Sequence, residues 1–219
     1  MTRILFLGDS ITDAYRDRTY NTPSDFGSYG QGFPIFASAG LYKSKPNAYE
    51  VYNRGISGDR IVDLYARIKK DVWNLQPDVL SILVGVNDVW HEVEFNNGVD
   101  IARFETTYRH LIEDTLKVLP NVKIILCEPF VLEGSATQNT EEKPDKFQRF
   151  CEVFDYAKVV KKLAEEYGLF FLPLQEMLGK KAEEYGVEPI LFDGVHPMVT
   201  GASFIADEWL KLFFEKVEK

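Results

Sequence analysis

The chain has 219 residues, 45% of them hydrophobic, and a formal net charge of −9. That length can bury one sizeable core, and the negative balance argues against nucleic acid and anionic membrane surfaces as partners, since both require a basic face. No apolar run approaches the roughly 20 residues of a membrane span. The two cysteines, Cys127 and Cys151, give no disulfide framework. No linker, repeat or low-complexity tract interrupts residues 1–219, so a single domain is expected. Met1-Thr2-Arg3 runs into an apolar segment without a cleavable leader, which points to a cytoplasmic protein.

Taken in chain order, the apolar β-branched runs predict strands at Arg3–Leu7, Ala48–Tyr52, Val79–Val84, Val122–Leu126 and Leu169–Leu172. Their near-continuous apolarity fits burial on both faces, as in a parallel sheet. A helix is expected from about Ile61 to Trp73. In Ile101–Leu119, residues Ile101, Phe104, Tyr108, Leu111, Ile112 and Leu119 share one face at a spacing of about 3.6. One further long helix is expected to carry Phe147, Phe150, Cys151, Phe154, Ala157, Val160, Leu163 and Tyr167, and Thr200–Val217 closes the chain. Strands alternating with helices predict an α/β fold. Two long loops, Asp13–Phe33 and Pro129–Asp145, leave the carboxyl edge of the sheet, where ligands bind in such folds.

That edge gathers the chemically suggestive residues. Gly8-Asp9-Ser10-Ile11-Thr12 follows the first strand, and Phe192-Asp193-Gly194-Val195-His196-Pro197 lies in the last loop. A serine hydroxyl is a weak nucleophile near neutral pH and needs an adjacent base, which a carboxylate usually orients. Ser10, His196 and Asp193 supply those three parts. Donors for a developing oxyanion are the Ser10 amide, the Gly55 amide in Asn53-Arg54-Gly55-Ile56-Ser57-Gly58, and the Asn87 side chain in Gly85-Val86-Asn87-Asp88. Trp90 and Phe192 flank these groups and are candidates to line an acyl or sugar pocket; the competing reading is core packing. His91 reads as an exposed loop residue and His110 as solvated. Taken alone, Ser10 would read as a helix cap, and it is the other fragments that favour catalysis.

Together these four fragments resemble the SGNH (GDSL) hydrolase family. The resemblance covers essentially the whole chain; Ser-Ile-Thr stands where the family's first block has Ser-Leu. It implies a flavodoxin-like three-layer α/β/α sandwich with a five-stranded parallel sheet. It also implies Ser10 as nucleophile, His196 as general base, Asp193 as its orienter, and Gly55 and Asn87 completing the oxyanion hole with the Ser10 amide. No metal or cofactor is implied. The strings Gly8–Asp13, Asn87-Asp88-Val89-Trp90, Glu128-Pro129-Phe130 and Phe192–Pro197 are most similar to carbohydrate acetylesterases, including acetylxylan esterases. The expected partner is therefore a small-molecule ester such as an acetylated sugar, and the many aromatic residues would suit a homo-oligomer. The alternatives are a lysophospholipase, thioesterase or aryl esterase on the same scaffold, and a non-catalytic carbohydrate-binding protein.

Overall fold

Ile4, Leu5, Phe6 and Leu7 are all inaccessible to solvent, which requires cover on both faces and neighbours on both edges of their strand. The computed structural model describes residues 1–19 and 26–219 and places that strand, β1 (Thr2–Gly8), inside a five-stranded sheet. The remaining strands are β2 (Tyr49–Gly55), β3 (Val79–Leu83), β4 (Lys123–Cys127) and β5 (Phe170–Leu172), in the spatial order β2-β1-β3-β4-β5, with every pairing parallel. All five lie where their apolar runs predict. β2 continues three residues past the expected end at Tyr52, pairing Gly55 with Gly8.

Nine α-helices occur among the described residues: α1 (Ser10–Asp13), α2 (Phe33–Ser44), α3 (Ile61–Asp71), α4 (Val86–Phe95), α5 (Ile101–Val118), α6 (Lys146–Phe150), α7 (Val153–Tyr167), α8 (Gln175–Tyr185) and α9 (Val199–Leu212). α2 packs on α9, while α3, α5 and α7 pack in sequence against one another, which covers the two faces of the sheet. The strand order reverses between β1 and β3: α2 leads outward from β1 to β2, and α3 returns across β1 to β3. That switch point opens a crevice at the carboxyl ends of β1 and β3. Trp209 of α9 locks one face to the centre of the sheet, with its ring 4.9 Å from Phe6 and its Nε1–H donating to Ser81 Oγ at 3.0 Å.

Four helical expectations need correction. The residues after β3, including Trp90 and His91, form α4 and not a loop; Asn87-Asp88 at its start are turn-forming types that mask the helix. The expected helix through Phe147 and Tyr167 is two helices. At the junction Glu152 N–H donates to Arg149 O and Phe154 N–H to Cys151 O, the tighter i→i+3 pattern. This turns Val153, Tyr156 and Val159 inward and leaves Phe154 half-buried. α2 was not anticipated, because it is apolar nearly all round and shows no contrasting face. α8 was not anticipated either, because Leu178 is its one buried residue. Of the Asp13–Phe33 loop, residues 20–25 lie outside the described residues, and Phe26–Tyr29 form a short 3-10 turn. No helix among the described residues is long and apolar enough to cross a membrane.

Candidate active site

The chain turns sharply at the end of β1, and Asp9 caps the single turn of α1 through its Oδ1, which accepts the Ile11 N–H at 2.9 Å. Ser10 stands at the first position of that turn, with its hydroxyl 2.8 Å from His196 Nε2. His196 comes from the loop before α9. Its Nδ1 lies 2.7 Å from Asp193 Oδ2, while Asp193 Oδ1 accepts the amides of Val195 (2.9 Å) and His196 (2.8 Å). With Nδ1–H committed to the carboxylate, Nε2 carries the lone pair that faces the Ser10 hydroxyl. Ser10 thus joins an Asp-His pair 186 positions away in one hydrogen-bonded row. Such a row can accept a hydroxyl proton and stabilise the resulting imidazolium.

The electrostatics follow from this geometry. For His196, burial opposes the charged ring, but the hydrogen bond and charge of Asp193, with a contribution from Asp9, outweigh it and raise the pKa above its ordinary value. For Asp193, burial pushes upward, and the hydrogen bonds and charge of His196 win and lower its pKa. Asp9 is fully buried, which lifts its carboxyl to about 7 against the pull of the Ile11 amide and His196; its Oδ2 has no hydrogen-bond partner among the described residues. Asp88 is also raised well above the carboxylate range by burial, although both its oxygens accept the Ile61 amide.

Asn87 lies in the first turn of α4, buried, with one Nδ2–H donating to Asp59 O at 3.1 Å and the second without a partner among the described residues. Trp90, three residues along the same helix face, has its ring 5.7 Å from His196 and edge-on to Phe150 at 5.5 Å. It packs beside the imidazole and is not among the residues lining the cavity that opens beside Ser10. Phe192 does line that cavity; its ring is stacked on His196 at 5.8 Å and 23°, and it is 47% exposed.

The expected Gly55 donor is corrected. Because β2 runs to residue 55, Gly55 is still in the sheet, and its amide is held by Asn53 Oδ1 at 2.8 Å. The next glycine of the same string, Gly58, has an amide without a hydrogen-bond partner among the described residues. It sits at φ +87°, in a turn whose Asp59 carbonyl holds Asn87. That turn is fastened to α1 by Asp13, whose Oδ2 accepts both the amide (3.0 Å) and the hydroxyl (2.8 Å) of Ser57.

A cavity of about 630 Å³ opens beside Ser10 and His196. Its walls are mainly apolar, formed by Ile11, Ala14, Tyr15, Phe192, Met198 and Val199, with Gln31, Ser57 and Asp193 adding polar groups beside Ser10 and His196. Tyr15 is 89% exposed on the rim and, like Ala14, sits in the left-handed region at φ +60°. Among the described residues no group of three or more His, Cys, Asp or Glu is placed to hold a metal ion.

A sequence profile of the GDSL-like lipase/acylhydrolase family matches residues 6–203. The chain belongs to that family. It is 34% identical over 215 residues to an acetylxylan esterase of Geobacillus stearothermophilus, covering 95% of this chain and 92% of that one. Among solved structures, a putative GDSL-like lipase from Parabacteroides merdae superposes with a TM-score of 0.88 at 35% identity, covering 98% and 96% of the two chains. The G. stearothermophilus acetylxylan esterase Axe2 superposes at 0.82 with 32% identity, over 96% and 93%. This family member is a carboxylic ester hydrolase with the three-layer α/β/α architecture of those neighbours.

Asp9 and Asp13 read in the sequence as turn residues or as supports behind the reacting groups; the structure shows Asp9 fully buried near His196 and Asp13 bonded to Ser57. Gly58 was not singled out as a donor. For Gly58 the signal was present, since two glycines share one string, but choosing between them required the true end of β2.

Proposed function

We propose that this esterase removes acetyl groups from carbohydrates such as acetylated xylo-oligosaccharides, through an acyl-enzyme formed on Ser10. The observation that carries the reading is the unbroken row from Ser10 Oγ through the His196 ring to Asp193. His196 Nε2 takes the hydroxyl proton as Ser10 Oγ attacks the ester carbonyl carbon. The tetrahedral adduct then collapses: the bond to the sugar oxygen breaks, and His196 returns its proton to that oxygen. Water, deprotonated by the same imidazole, attacks the acetyl-serine, acetate leaves, and Ser10 regains its proton. Asp193 holds the required tautomer and stabilises the imidazolium. The donors for the oxyanion are the amides of Ser10 and Gly58 and the Asn87 side chain, each worth about 3 kcal/mol in sites of this type. The reaction so written needs neither metal nor cofactor.

The sugar assignment rests on the similarity to the acetylxylan esterase. It gains support from the exposed aromatic faces of Tyr15 and Phe192 at the cavity rim, which suit the apolar face of a sugar ring. The same cavity favours a second reading, because an open apolar wall also accepts the longer acyl chain of a lysophospholipid, thioester or aryl ester. Acetate release from acetylated xylo-oligosaccharides and from p-nitrophenyl acetate, wild type beside Ser10→Ala, tests the proposal. Release from both substrates, lost in the variant, is expected. Preference for octanoyl over acetyl esters would move the substrate to the second class. One hydrophobic cluster spans residues from Ile4 to Val217, in keeping with a single domain over residues 1–219. The unpaired thiols of Cys127 and Cys151 suit a reducing compartment such as the cytoplasm.

A further inference from the structure

The Pro129–Asp145 loop does not line the cavity beside Ser10; it grips the chain behind Asp193. Leu132 N–H donates to Gly194 O at 2.8 Å, and Ala136 N–H donates to Asp193 O at 2.9 Å. Both residues of the Asp193-Gly194 peptide are therefore held from the same loop. The loop is itself closed by Thr137, which is fully buried. Its hydroxyl donates to Leu132 O at 2.6 Å and accepts the Gly134 amide at 2.8 Å, while its own amide reaches Gly134 O at 3.0 Å.

The contact is close enough to exclude side chains on either strand. A Cβ on Gly134 would collide with the Gly194 nitrogen and the Asp193 carbonyl. A Cβ on Gly194 would collide with Leu132 O and Thr137 Oγ1, and Gly194 sits at φ +97°. These collisions are with backbone or a pinned hydroxyl, which cannot swing aside. The grip is anchored at both ends. Glu128, directly after β4, accepts the Leu174 and Gln175 amides at 2.7 and 2.9 Å, and the Gln175 side chain pairs with the Val131 amide and carbonyl at 2.9 and 3.0 Å. At the other end Lys143 and Lys146 hold Glu94 of α4, the helix that carries Asn87, at 2.6 and 2.8 Å.

We infer that this loop is a strap that sets the position of the Asp193 carboxylate against His196, with Thr137 and Gly134 as its positioning residues. The inference rests on the reading of Asp193 as the orienter of His196. The strap touches neither the Ser10 hydroxyl nor the imidazole; it acts through the main chain of residues 193 and 194. Asp193 makes its bond to Nδ1 from the second residue of a short loop, so a small shift of that peptide lengthens the hydrogen bond without moving Ser10 or the cavity. A weaker Asp193 bond leaves burial as the dominant influence on His196, and the imidazole pKa falls.

The test uses p-nitrophenyl acetate, so that it does not depend on the sugar assignment. It compares wild type, Thr137→Val, Thr137→Ser, Gly134→Ala and the exposed-tip control Glu141→Ala, each checked for its thermal transition. Thr137→Val and Gly134→Ala are expected to lower kcat tenfold or more with KM within about twofold. They are also expected to move the acid limb of kcat/KM down by about half a pH unit. Thr137→Ser should restore both, and Glu141→Ala should change neither. The low-field proton resonance of the His196 Nδ1 hydrogen bond, read without substrate, should shift upfield in the Val variant. If Thr137→Val does not fold, Gly134→Ala carries the same expectations. An unchanged acid limb and an unchanged low-field proton in a folded variant would overturn the inference, whatever happens to kcat. Wild-type activity that survives Ser10→Ala would instead overturn the reading of the Ser10–His196–Asp193 row.

Discussion

Burial by itself would make His196 a poor proton acceptor with a depressed pKa, and the ring is held in the opposite sense by one carboxylate at 2.7 Å. The direction has a kinetic consequence. An imidazole must be neutral to take the Ser10 proton, and its folded pKa lies above the ordinary value of about 6.5. The kcat/KM profile should therefore rise with pH through a midpoint above that value. A pH series on p-nitrophenyl acetate measures it, and a midpoint below 6.5 would show that burial outweighs the pull of Asp193 on His196. Asp9 works in the opposite sense for stability. Its carboxyl is raised to about 7 by burial, so the folded state holds that proton more tightly than the unfolded chain. Its linked contribution to stability is present below the unfolded carboxylate pKa and falls as pH rises toward about 7. The two groups lie close enough for each charge to favour the other.

At the scale of elements, the site is assembled by contacts that tie one loop to the next. Asn53 in β2 donates from Nδ2 to Thr12 O and Tyr29 O at 2.6 and 2.8 Å, which fixes the short helix behind Ser10 against the sheet. Asp13 then holds the Ser57 turn, and that turn holds Asn87. α9 follows the loop bearing His196 and is locked in turn by Trp209 on Phe6 and Ser81. Trp209→Ala removes a fully buried ring and its hydrogen bond to the Ser81 hydroxyl, and is expected to cost about 4 kcal/mol of stability. Urea unfolding read by circular dichroism gives the value; a loss under 1 kcal/mol would show that α9 is not held through this residue. The strands were legible in the sequence as short, nearly continuous apolar runs, and the helices α3, α5 and α9 as segments with one apolar face. α2, α4 and α8 were hidden for three different reasons: an apolar surface all round, turn-forming residues at the start, and almost no buried face.

For the molecule as a whole, the sheet order brings the loops after β1 and β3 to either side of a crevice, and the chain's last loop closes it with His196. The residues of that row stood out in the sequence because Ser10 follows the first strand in one compact string and Asp193 and His196 share another in the last loop. Gly55 was misplaced because its role depended on where β2 stops pairing, a long-range property of the ladder with β1. The grip of Leu132 on Gly194 and of Ala136 on Asp193 was invisible too, since backbone amides carry no sequence signature. The proposed reaction passes through one covalent intermediate, an acetyl-Ser10, which intact-protein mass spectrometry can detect. The enzyme would be acid-quenched during turnover of p-nitrophenyl acetate, weighed, and mapped by peptide. A single added acetyl group on the peptide containing Ser10, absent from Ser10→Ala, is the predicted result. Turnover with no acetyl group on Ser10, or with the label on another residue, would contradict the account.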